Sequence, residues 1–320
     1  MRFNARVTAL GLVALLIAAC GAGGSTASQV LNTVAPTTAA NPTATPAPTP
    51  DPCATANLAL TVAGKLTIGT DNPAYPPYFA IRDGGNAPPW EDLGYTGDPT
   101  TGKGFEGAVA YALAKQLGFT ADQVAWVVVP FDNSYAPGPK AFDFDINQVS
   151  YTAERAQAVD LSDGYYSLTQ AVVALKANAA SGAKTVADLK GYKLGAMIGT
   201  TSYQTIQDVI KPTTEASVYG TNDLAVEALK AKQIDAIVVD LPTADFIANA
   251  GVQIDSGLAT IVGKVQPAAG TDEHFSLVLA KGSALTACVN GAISALKAAG
   301  TLDQLASTWL PFQDAIPVLK

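Results

Sequence analysis

The sequence predicts an α/β fold divided into two lobes. Strand-like and helix-like segments alternate from Leu58 onwards, a pattern typical of mostly parallel sheets covered by helices. The chain has 320 residues, of which 48% are hydrophobic, so it can bury more core than one small domain needs. Only 14% of residues are charged and the net charge is −8. This acidic balance, without a basic run, argues against a nucleic-acid partner.

The first residues are typical of an export signal. Two arginines precede an apolar run from Val7 to Ala19, which is too short to span a bilayer but suits a signal peptide over residues 1–19. A membrane-anchor helix is the alternative. The residues "IAAC" ending at Cys20 resemble the lipobox of bacterial lipoproteins. That resemblance implies cleavage before Cys20, lipid on its sulfur and an extracytoplasmic protein anchored to the cell membrane.

Residues 20–52 are predicted to be a lipidated N-terminus followed by a disordered stalk. From residue 21 they are rich in Ala, Thr, Pro, Ser and Gly and carry no charge before Asp51, so they cannot bury enough apolar surface to fold. Extended, proline-rich chain of this kind acts as a semi-rigid spacer. A structured proline-rich binding motif is the alternative.

The other cysteines predict a disulfide rather than a metal site. Once Cys20 carries lipid, Cys53 and Cys288 remain, and two cysteines in an exported domain favour pairing. The bridge would pin the start of the folded region to a C-terminal helix; two buried free thiols are the alternative. The chain has a single histidine, His274, and no Cys/His cluster, so neither a metal nor a cofactor is expected.

Strands are predicted from short apolar or alternating segments. They comprise residues 65–70, 124–129, 171–175, 193–198, 234–240 and 275–280. The continuous apolar run 124–129 is typical of a strand covered on both faces.

Helices are predicted between the strands from apolar residues at helical spacing, capping residues and glycine stops. They comprise residues 105–118, 185–191, 202–210, 222–233, 241–246, 285–300 and 302–310, with Asn222 and Thr301 as two N-caps. Two irregular stretches, 71–104 and 131–145, interrupt the alternation. The first is rich in proline, glycine and aromatic residues, including Trp90, and long loops of this kind are often functional.

A series of motifs then occurs in order from about Leu66 to Leu310. They are "IGTDNPAYPPY", "GFEGAVAYALAKQLG", "VSYTAERAQAVDLSDGYY", "LGAMIGTTSY", "QIDAIVVD", "LVLAKG" and "LKAAGTLDQLASTWL". In this order the chain resembles the bacterial solute-binding proteins of ABC importers, specifically the polar amino-acid class.

The resemblance implies two Rossmann-like lobes joined by two hinge segments, with a ligand cleft between them, as in periplasmic-binding-protein-like type II folds. Lobe 1 would comprise residues 58–169 plus 272–320, and lobe 2 residues 170–271. Ligands in open α/β sheets bind at the carboxyl ends of strands, and such lobes close by a hinge motion. The implied protein is a monomer that binds a free polar amino acid and delivers it to an ABC permease, and is not an enzyme.

The resemblance also assigns groups to the two charges of an amino acid. Arg155 would hold the carboxylate with two parallel N–H bonds, which lysine cannot form. The other assigned groups are Ser150 and the backbone carbonyl of Gln148 on lobe 1, and Thr200, Thr201 and Asp240 on lobe 2, with Asp240 pairing with the ammonium. Three local alternatives are open: a surface salt bridge from Arg155 to Glu154 or Asp160, ordinary helix capping by the threonines, and an N-cap role for Asp240.

Specificity for the ligand's side chain is assigned to Asp71, Tyr75 and Tyr78. The Asp71–Tyr75 spacing is one residue longer than usual in the family, and Asn133 stands where an aromatic residue is common, so Phe131 or Tyr135 would substitute. Asp235 is expected to be structural.

Two other functions are compatible with the scaffold. A cleft enzyme of the dehydratase type would need a general acid or base, for which the lone histidine, His274, is the candidate. A ligand-sensing module is the other possibility, and it would usually carry a transmembrane or signalling domain.

Overall fold

The computed structural model describes residues 50–268, 270–312 and 315–320. The strands of the described region are β1 (Leu66–Thr70), β2 (Val124–Val128), β3 (Phe144–Asp145), β4 (Asp160–Leu161), β5 (Tyr166–Ser167), β6 (Gln170–Leu175), β7 (Leu194–Met197), β8 (Ser217–Tyr219), β9 (Ala236–Asp240), β10 (Ala259–Val265), β11 (His274–Phe275) and β12 (Val278–Leu279). The helices are α1 (Phe105–Gln116), α2 (Phe131–Ser134), α3 (Arg155–Ala158), α4 (Thr201–Thr205), α5 (Asn222–Lys230), α6 (Leu241–Asn249), α7 (Thr286–Ala298) and α8 (Thr301–Trp309). A π-helical segment, Ile206–Ile210, continues α4, and short 3-10 turns cover Thr55–Asn57, Pro99–Thr101, Ala121–Gln123, Ala179–Gly182 and Ala187–Gly191.

Lobe 1 is built on a five-stranded sheet with the order β2-β1-β3-β12-β4. Strand β1 pairs in parallel with β2 and β3, whereas β12 runs antiparallel to β3 and β4. Helix α1 places Phe105, Val109 and Leu113 fully inside the core, where they meet residues of α7 and α8. The helical spacing of these apolar residues is the feature that predicted α1 from the sequence.

Lobe 2 is built on a second five-stranded sheet with the order β10-β6-β9-β7-β8. Successive side chains of a strand point to opposite faces, and in β6 and β9 the side chains on both faces are buried. Val173 and Ile237 pack in the core on one face, and Val172 and Val238 pack in the core on the other. Because both faces are covered, these strands read as continuous apolar runs, as expected for buried strands.

Two chain crossings join the lobes. Strand β5 on the way out pairs antiparallel with β11 on the way back, His274 opposite Ser167 and Phe275 opposite Tyr166. The amide of Leu168 also donates to the carbonyl of Glu273 (2.9 Å). The predicted α/β fold with two lobes and paired hinge segments is confirmed.

Several local predictions were wrong. Strand β2 lies at the edge of its sheet and is half-exposed rather than covered on both faces. The prediction was wrong because a continuous apolar run is also found in an edge strand that has one face covered by aromatic residues. Both sheets are mixed rather than mostly parallel. Segment 185–191 forms a 3-10 turn over its last five residues, and strands β3, β4, β5, β8 and β10 were missed.

Two helix starts differ by one residue from prediction. Thr221, not Asn222, caps α5 by accepting the amide of Leu224 (3.2 Å). Helix α8 begins at Thr301, and the cap position is Gly300 in the left-handed region (φ 69°), where glycine carries no steric penalty. Such one-residue shifts are the ordinary uncertainty of helix boundaries.

The end of the chain lies against lobe 2, although the sequence assigned residues 272–320 to lobe 1. The amide of Leu319 donates to the carbonyl of Lys264 in β10 (2.9 Å), and the amide of Lys264 donates to the carbonyl of Pro317 (2.7 Å). The Leu319 side chain is buried in the lobe 2 core. The resemblance assigned the end of the chain to lobe 1 together with α8. No local pattern in the sequence indicates that this segment lies beside β10.

A disulfide joins Cys53 to Cys288 in α7, 235 residues apart. It fixes the beginning of the described region to lobe 1, as the cysteine count predicted, and bridges of this kind typically contribute about 2–5 kcal/mol to stability. The predicted signal peptide, the lipidated Cys20 and the stalk up to residue 49 lie outside the described residues. Within residues 50–268, 270–312 and 315–320, no helix is long and apolar enough to cross a membrane.

Candidate functional site

A cavity of about 360 Å³ lies between the two lobes. It is lined from lobe 1 by residues after β1 and after β2 and by residues 147–155, and from lobe 2 by residues after β7, β8 and β9. These are carboxyl ends of strands, where open α/β sheets place their ligands. Every residue assigned to the ligand from sequence lines this cavity: Asp71, Tyr75, Tyr78, Gln148, Ser150, Arg155, Thr200, Thr201 and Asp240.

Arg155 begins the short helix α3, and only 7% of its surface is exposed. Its guanidinium donates to the carbonyl of Ser150 (2.7 Å) on lobe 1 and to the carbonyl of Gly199 (2.8 Å) on lobe 2. It also lies over the ring of Tyr135 at 4.3 Å and that of Phe131 at 5.4 Å. Burial lowers the pKa of Arg155.

This arrangement excludes the surface salt bridge considered from sequence. Asp160 pairs with Lys281 (3.5 Å) rather than with Arg155, and the Arg155 guanidinium donates to the backbone carbonyls of Ser150 and Gly199. A guanidinium has five N–H donors in a rigid fork, so these two bonds orient the group without exhausting it. Phe131 and Tyr135, which were expected to substitute for the family's aromatic residue at Asn133, both lie against this guanidinium.

The lobe 2 wall contributes hydroxyl groups at the start of α4. Thr200 caps this helix, accepting the amide of Tyr203 (3.2 Å) and donating to the carbonyl of Met197 (2.7 Å). The hydroxyl of Thr201 lies 3.2 Å from that of Ser150, across the cleft. Thr200 therefore has the predicted capping role, while Thr201 directs its hydroxyl to the opposite wall.

Asp240 ends β9 and lies at the start of α6 without a capping bond from its side chain. Its carboxylate instead accepts Nε2 of Gln170 (2.8 Å), a nitrogen that also donates to Glu273 (2.8 Å). Burial, and then the neighbouring charge of Glu273, raise the pKa of Asp240 to about 7. The capping alternative is thus excluded, and a buried carboxylate short of positive charge faces the cavity.

Gln148 adopts a left-handed backbone conformation with φ 49°, which costs a residue with a side chain of order 1–3 kcal/mol. Its amide donates to the carboxylate of Glu106 (2.8 Å), and its side-chain Nε2 makes a second, short bond to the same group. The hydroxyl of Tyr165 donates to Glu106 as well. Burial raises the pKa of Glu106 to about 7. The side chain of Gln148 is therefore tied back to the lobe 1 interior.

The aromatic residues assigned to specificity bridge the lobes. The hydroxyl of Tyr75 donates to Asp223 (2.6 Å) on α5, and its ring lies 6.0 Å from that of Phe246. The hydroxyl of Tyr78 lies 3.1 Å from that of Thr243. Burial raises the pKa of Asp71, which accepts the amide of Asn72 (2.7 Å).

The rest of loop 71–104 has a structural role. Trp90 is 4% exposed and packs edge-on against Trp126 of β2 at 6.5 Å. It does not line the cleft cavity. This part of the loop thus covers one face of the edge strand, which accounts for Trp90.

Four of the polar residues that sequence reasoning missed hold charged groups of the site or lie behind them. They are Asp223 and Gln253 in the cavity wall, and Gln170 and Glu273 behind Asp240. Asp223 follows β8, so the rule that ligands meet the carboxyl ends of strands would have found it had that strand been recognised. Gln170 directly follows the first crossing between the lobes, and Glu273 lies in the second crossing. Only the fold brings these two residues together.

The histidine considered as a general base from sequence does not lie in the cleft. His274 lies in β11, stacks on Tyr151 at 5.4 Å and is not among the residues lining the cavity. Across the described residues, no three His, Cys, Asp or Glu side chains are grouped as metal ligands. The cavity can hold a small molecule by charge and hydrogen bonding.

Residues 66–312 match the family described as bacterial extracellular solute-binding proteins, family 3. The chain is 34% identical over 164 residues to a probable histidine-binding protein of Campylobacter jejuni, a match covering 50% of this chain and 60% of that protein. It is 30% identical over 232 residues to the ABC transporter arginine-binding protein 1 of Escherichia coli, covering 70% of this chain and 87% of that protein.

Among solved structures, the chain is similar to the ancestral amino acid-binding protein AncCDT-1, a precursor of cyclohexadienyl dehydratase. The two share 27% sequence identity with a TM-score of 0.58, over 77% of this chain and 95% of that one.

Proposed function

The chain belongs to family 3 of the bacterial extracellular solute-binding proteins, and we propose that it captures a free polar amino acid in the interlobe cleft and delivers it to an ABC importer. The observation that carries this proposal is the pair Arg155 and Asp240. These groups of opposite charge, Arg155 buried and Asp240 partly buried, line one cavity from opposite lobes. A zwitterion with a carboxylate and an ammonium on one carbon complements such a pair, since buried charges need partners.

Each wall has a defined task in this proposal. Arg155 binds the carboxylate, with Ser150 and Thr201 contributing hydroxyl groups from the two lobes. Asp240 and the backbone carbonyl of Gln148 receive the ammonium. The lobe-to-lobe hydrogen bonds of Tyr75 and Tyr78 support closure around the bound amino acid.

The family, rather than the cleft, supports delivery to a permease. The histidine- and arginine-binding relatives support an amino acid as cargo. The export signal and the lipobox-like Cys20 would hold a monomer at the outer face of the cell membrane, where a permease is within reach.

Binding without chemistry is the favoured mode. The candidate base, His274, lies off the cavity, and the charged groups that line it complement a zwitterion. The chain is similar in fold to a precursor of a dehydratase, so enzymatic turnover of the ligand is the alternative that the experiment must test. Release of the ligand unchanged, checked by mass spectrometry after incubation, separates the two.

A thermal-shift screen of the purified protein against free amino acids tests the proposal. At 100 times its Kd, a ligand that binds only the folded state stabilises it by about 2.7 kcal/mol, a rise of several degrees in Tm. We expect such a rise for at least one polar amino acid. A screen in which no amino acid shifts Tm would overturn the proposal.

A further inference from the structure

The cavity is strongly unbalanced in charge. Four aspartates line it, and Arg155 is the only Lys, Arg or His among its described lining residues: the aspartates are Asp71, Asp132, Asp223 and Asp240. A zwitterion adds no net charge, so it leaves that imbalance as it is. Burial further raises the pKa of Asp71, with a contribution from the charge of Asp132, as expected where negative charges lack a counterion.

Asp223 is set apart from the Arg155 group. Its Oδ2 accepts the hydroxyl of Tyr75 (2.6 Å) and its Oδ1 accepts Nε2 of Gln253 (2.6 Å). Both donors are neutral. The partners of Arg155 are instead Ser150 and Gly199. A ligand whose backbone charges engage Arg155 and Asp240 would therefore direct its side chain toward a second carboxylate.

The surroundings of Asp223 suit a cation. The ring of Tyr75 lies 6.0 Å from that of Phe246 and 6.4 Å from that of Tyr95, so aromatic surface flanks the carboxylate. Positive groups are attracted to the faces of such rings. An anionic side chain would meet the carboxylate of Asp223, whose two described donors, Tyr75 and Gln253, bring no positive charge.

Unpartnered polar atoms are an independent sign of an occupant. Thr70 is 1% exposed and Asn147 is 4% exposed; both line the cavity, yet Oγ1 of Thr70 and Nδ2 of Asn147 have no hydrogen-bond partner among the described residues. Oε1 of Gln253, the amide that donates to Asp223, is also buried and unpartnered. Buried polar atoms normally have partners, and a ligand N–H group would supply one to Gln253.

We propose that the bound amino acid carries a cationic side chain and that Asp223 is the residue that selects for it. The inference rests on the proposed function and adds the ligand class. The carboxylate of Asp223 and the free oxygen of Gln253 together accept N–H groups from an ammonium or guanidinium. Tyr75, bonded to the same carboxylate from lobe 1, couples recognition of the side chain to closure.

Isothermal titration calorimetry with charge-matched pairs tests this on the wild-type protein. The pairs are arginine with citrulline and lysine with 6-hydroxynorleucine, which are close in shape and differ in charge; glutamine and glutamate complete the panel. We expect the best cationic ligand to bind at least about 30-fold more tightly than its uncharged partner, as for loss of one member of a buried charge pair.

Asp223→Asn, which keeps the shape of the side chain, should reduce that ratio at least about 10-fold with little effect on the uncharged ligand. Asp303→Asn is the matched control, since Asp303 is also an aspartate in the first turn of a nine-residue helix but is exposed and away from the cavity. It should leave the ratio unchanged. The wild-type ratio decides the ligand class even if Asp223→Asn does not fold.

Three results contradict the inference, and they are distinguishable. Tightest binding of a neutral or acidic amino acid overturns the ligand class while leaving amino-acid capture intact. An unchanged ratio in a folded Asp223→Asn variant removes Asp223 as the selecting residue. Failure of every amino acid to bind overturns the proposed function itself.

Discussion

The two walls of the cleft are built differently, although they meet the same ligand. The lobe 1 wall comes largely from irregular chain, residues 71–79 and 147–155, held in place by the buried carboxylate of Glu106 and by aromatic rings under Arg155. The lobe 2 wall comes from the ends of regular elements, where Thr200 caps α4 and Asp240 ends β9. Lobe 1 thus supplies the Arg155 cation, which is held by stacking on aromatic rings. Lobe 2 supplies the Asp240 carboxylate, which is held by a hydrogen bond from Gln170.

The contrast indicates which wall dominates binding. An arginine fork gives two charge-assisted bonds of fixed direction, whereas a carboxylate facing an ammonium gives a less directional pair. We therefore expect damage to the lobe 1 wall to be the more severe.

Arg155→Lys should weaken binding about 100-fold or more. Lysine keeps the charge but loses the paired N–H bonds and the planar contact with Tyr135. Calorimetry gives the Kd, and circular dichroism checks the fold. Arg82→Lys, at an arginine whose side chain is 44% exposed and pairs with buried Asp98 outside the cavity, is the control. Near-wild-type affinity for Arg155→Lys would remove it from the site.

Asp240→Asn should weaken binding about 30-fold, because the ammonium loses its charged partner while Gln170 keeps an acceptor oxygen. The variant should remain folded, since a neutral amide relieves the repulsion from Glu273. A loss larger than that of Arg155→Lys would reverse the proposed ranking of the two walls.

The affinity of the wild-type protein should fall as pH drops below about 7. The pKa of Asp240 is raised to about 7, so acid protonates the group that pairs with the ammonium. Calorimetry between pH 8 and 5.5 measures the effect, which should approach 10-fold per pH unit at most for a single group. Asp240→Asn should make the affinity nearly independent of pH in this range. An unchanged pH dependence in that variant would mean that another group titrates.

The stability of the ligand-free protein should have the opposite dependence. The folded-state pKa values of Glu106 and Asp240, both about 7, exceed their unfolded values, so the folded state binds more protons between about pH 4 and 7. Stability should therefore decline as pH rises through this window. The free energy of unfolding, measured with urea at pH 5 and 7.5, tests this prediction. Greater stability at pH 7.5 that arises from these two groups would contradict their burial without a cation.

Removal of a single hydroxyl at the contact between walls should have the smallest effect. Thr201→Val should weaken binding about 2- to 10-fold, the range for one neutral hydrogen bond. Thr308→Val, at an exposed threonine on α8, is the control. A loss as large as that of Arg155→Lys would mean that the hydroxyl contact, not the fork, organises the ligand.

Sequence rules predicted the lobe 2 wall more directly than the lobe 1 wall. The run that ends at Asp240 and the capping Thr200 have local signals, because strand ends and helix starts follow periodicity and capping. The ligand roles of both walls came only from the resemblance, and the partners of Arg155, namely Ser150, Gly199 and Tyr135, are brought together by tertiary structure.

What the sequence could not predict depends on long-range pairing. Gln170 meets Glu273 across 103 residues, and Tyr75 meets Asp223 across 148. Leu319 follows a lobe 1 helix yet is buried in lobe 2. None of these contacts leaves a local pattern, because each is fixed by the pairing of the crossings or by closure of the lobes.

The most direct test of the central claim compares the tightest-binding amino acid with its methyl ester by calorimetry. The ester keeps the ammonium and the side chain but removes the negative charge that Arg155 is proposed to bind. We predict a micromolar or lower Kd for the free amino acid and a loss of about 100-fold or more for the ester. Equal affinities would contradict the account, because the ligand would then be held without its carboxylate on Arg155.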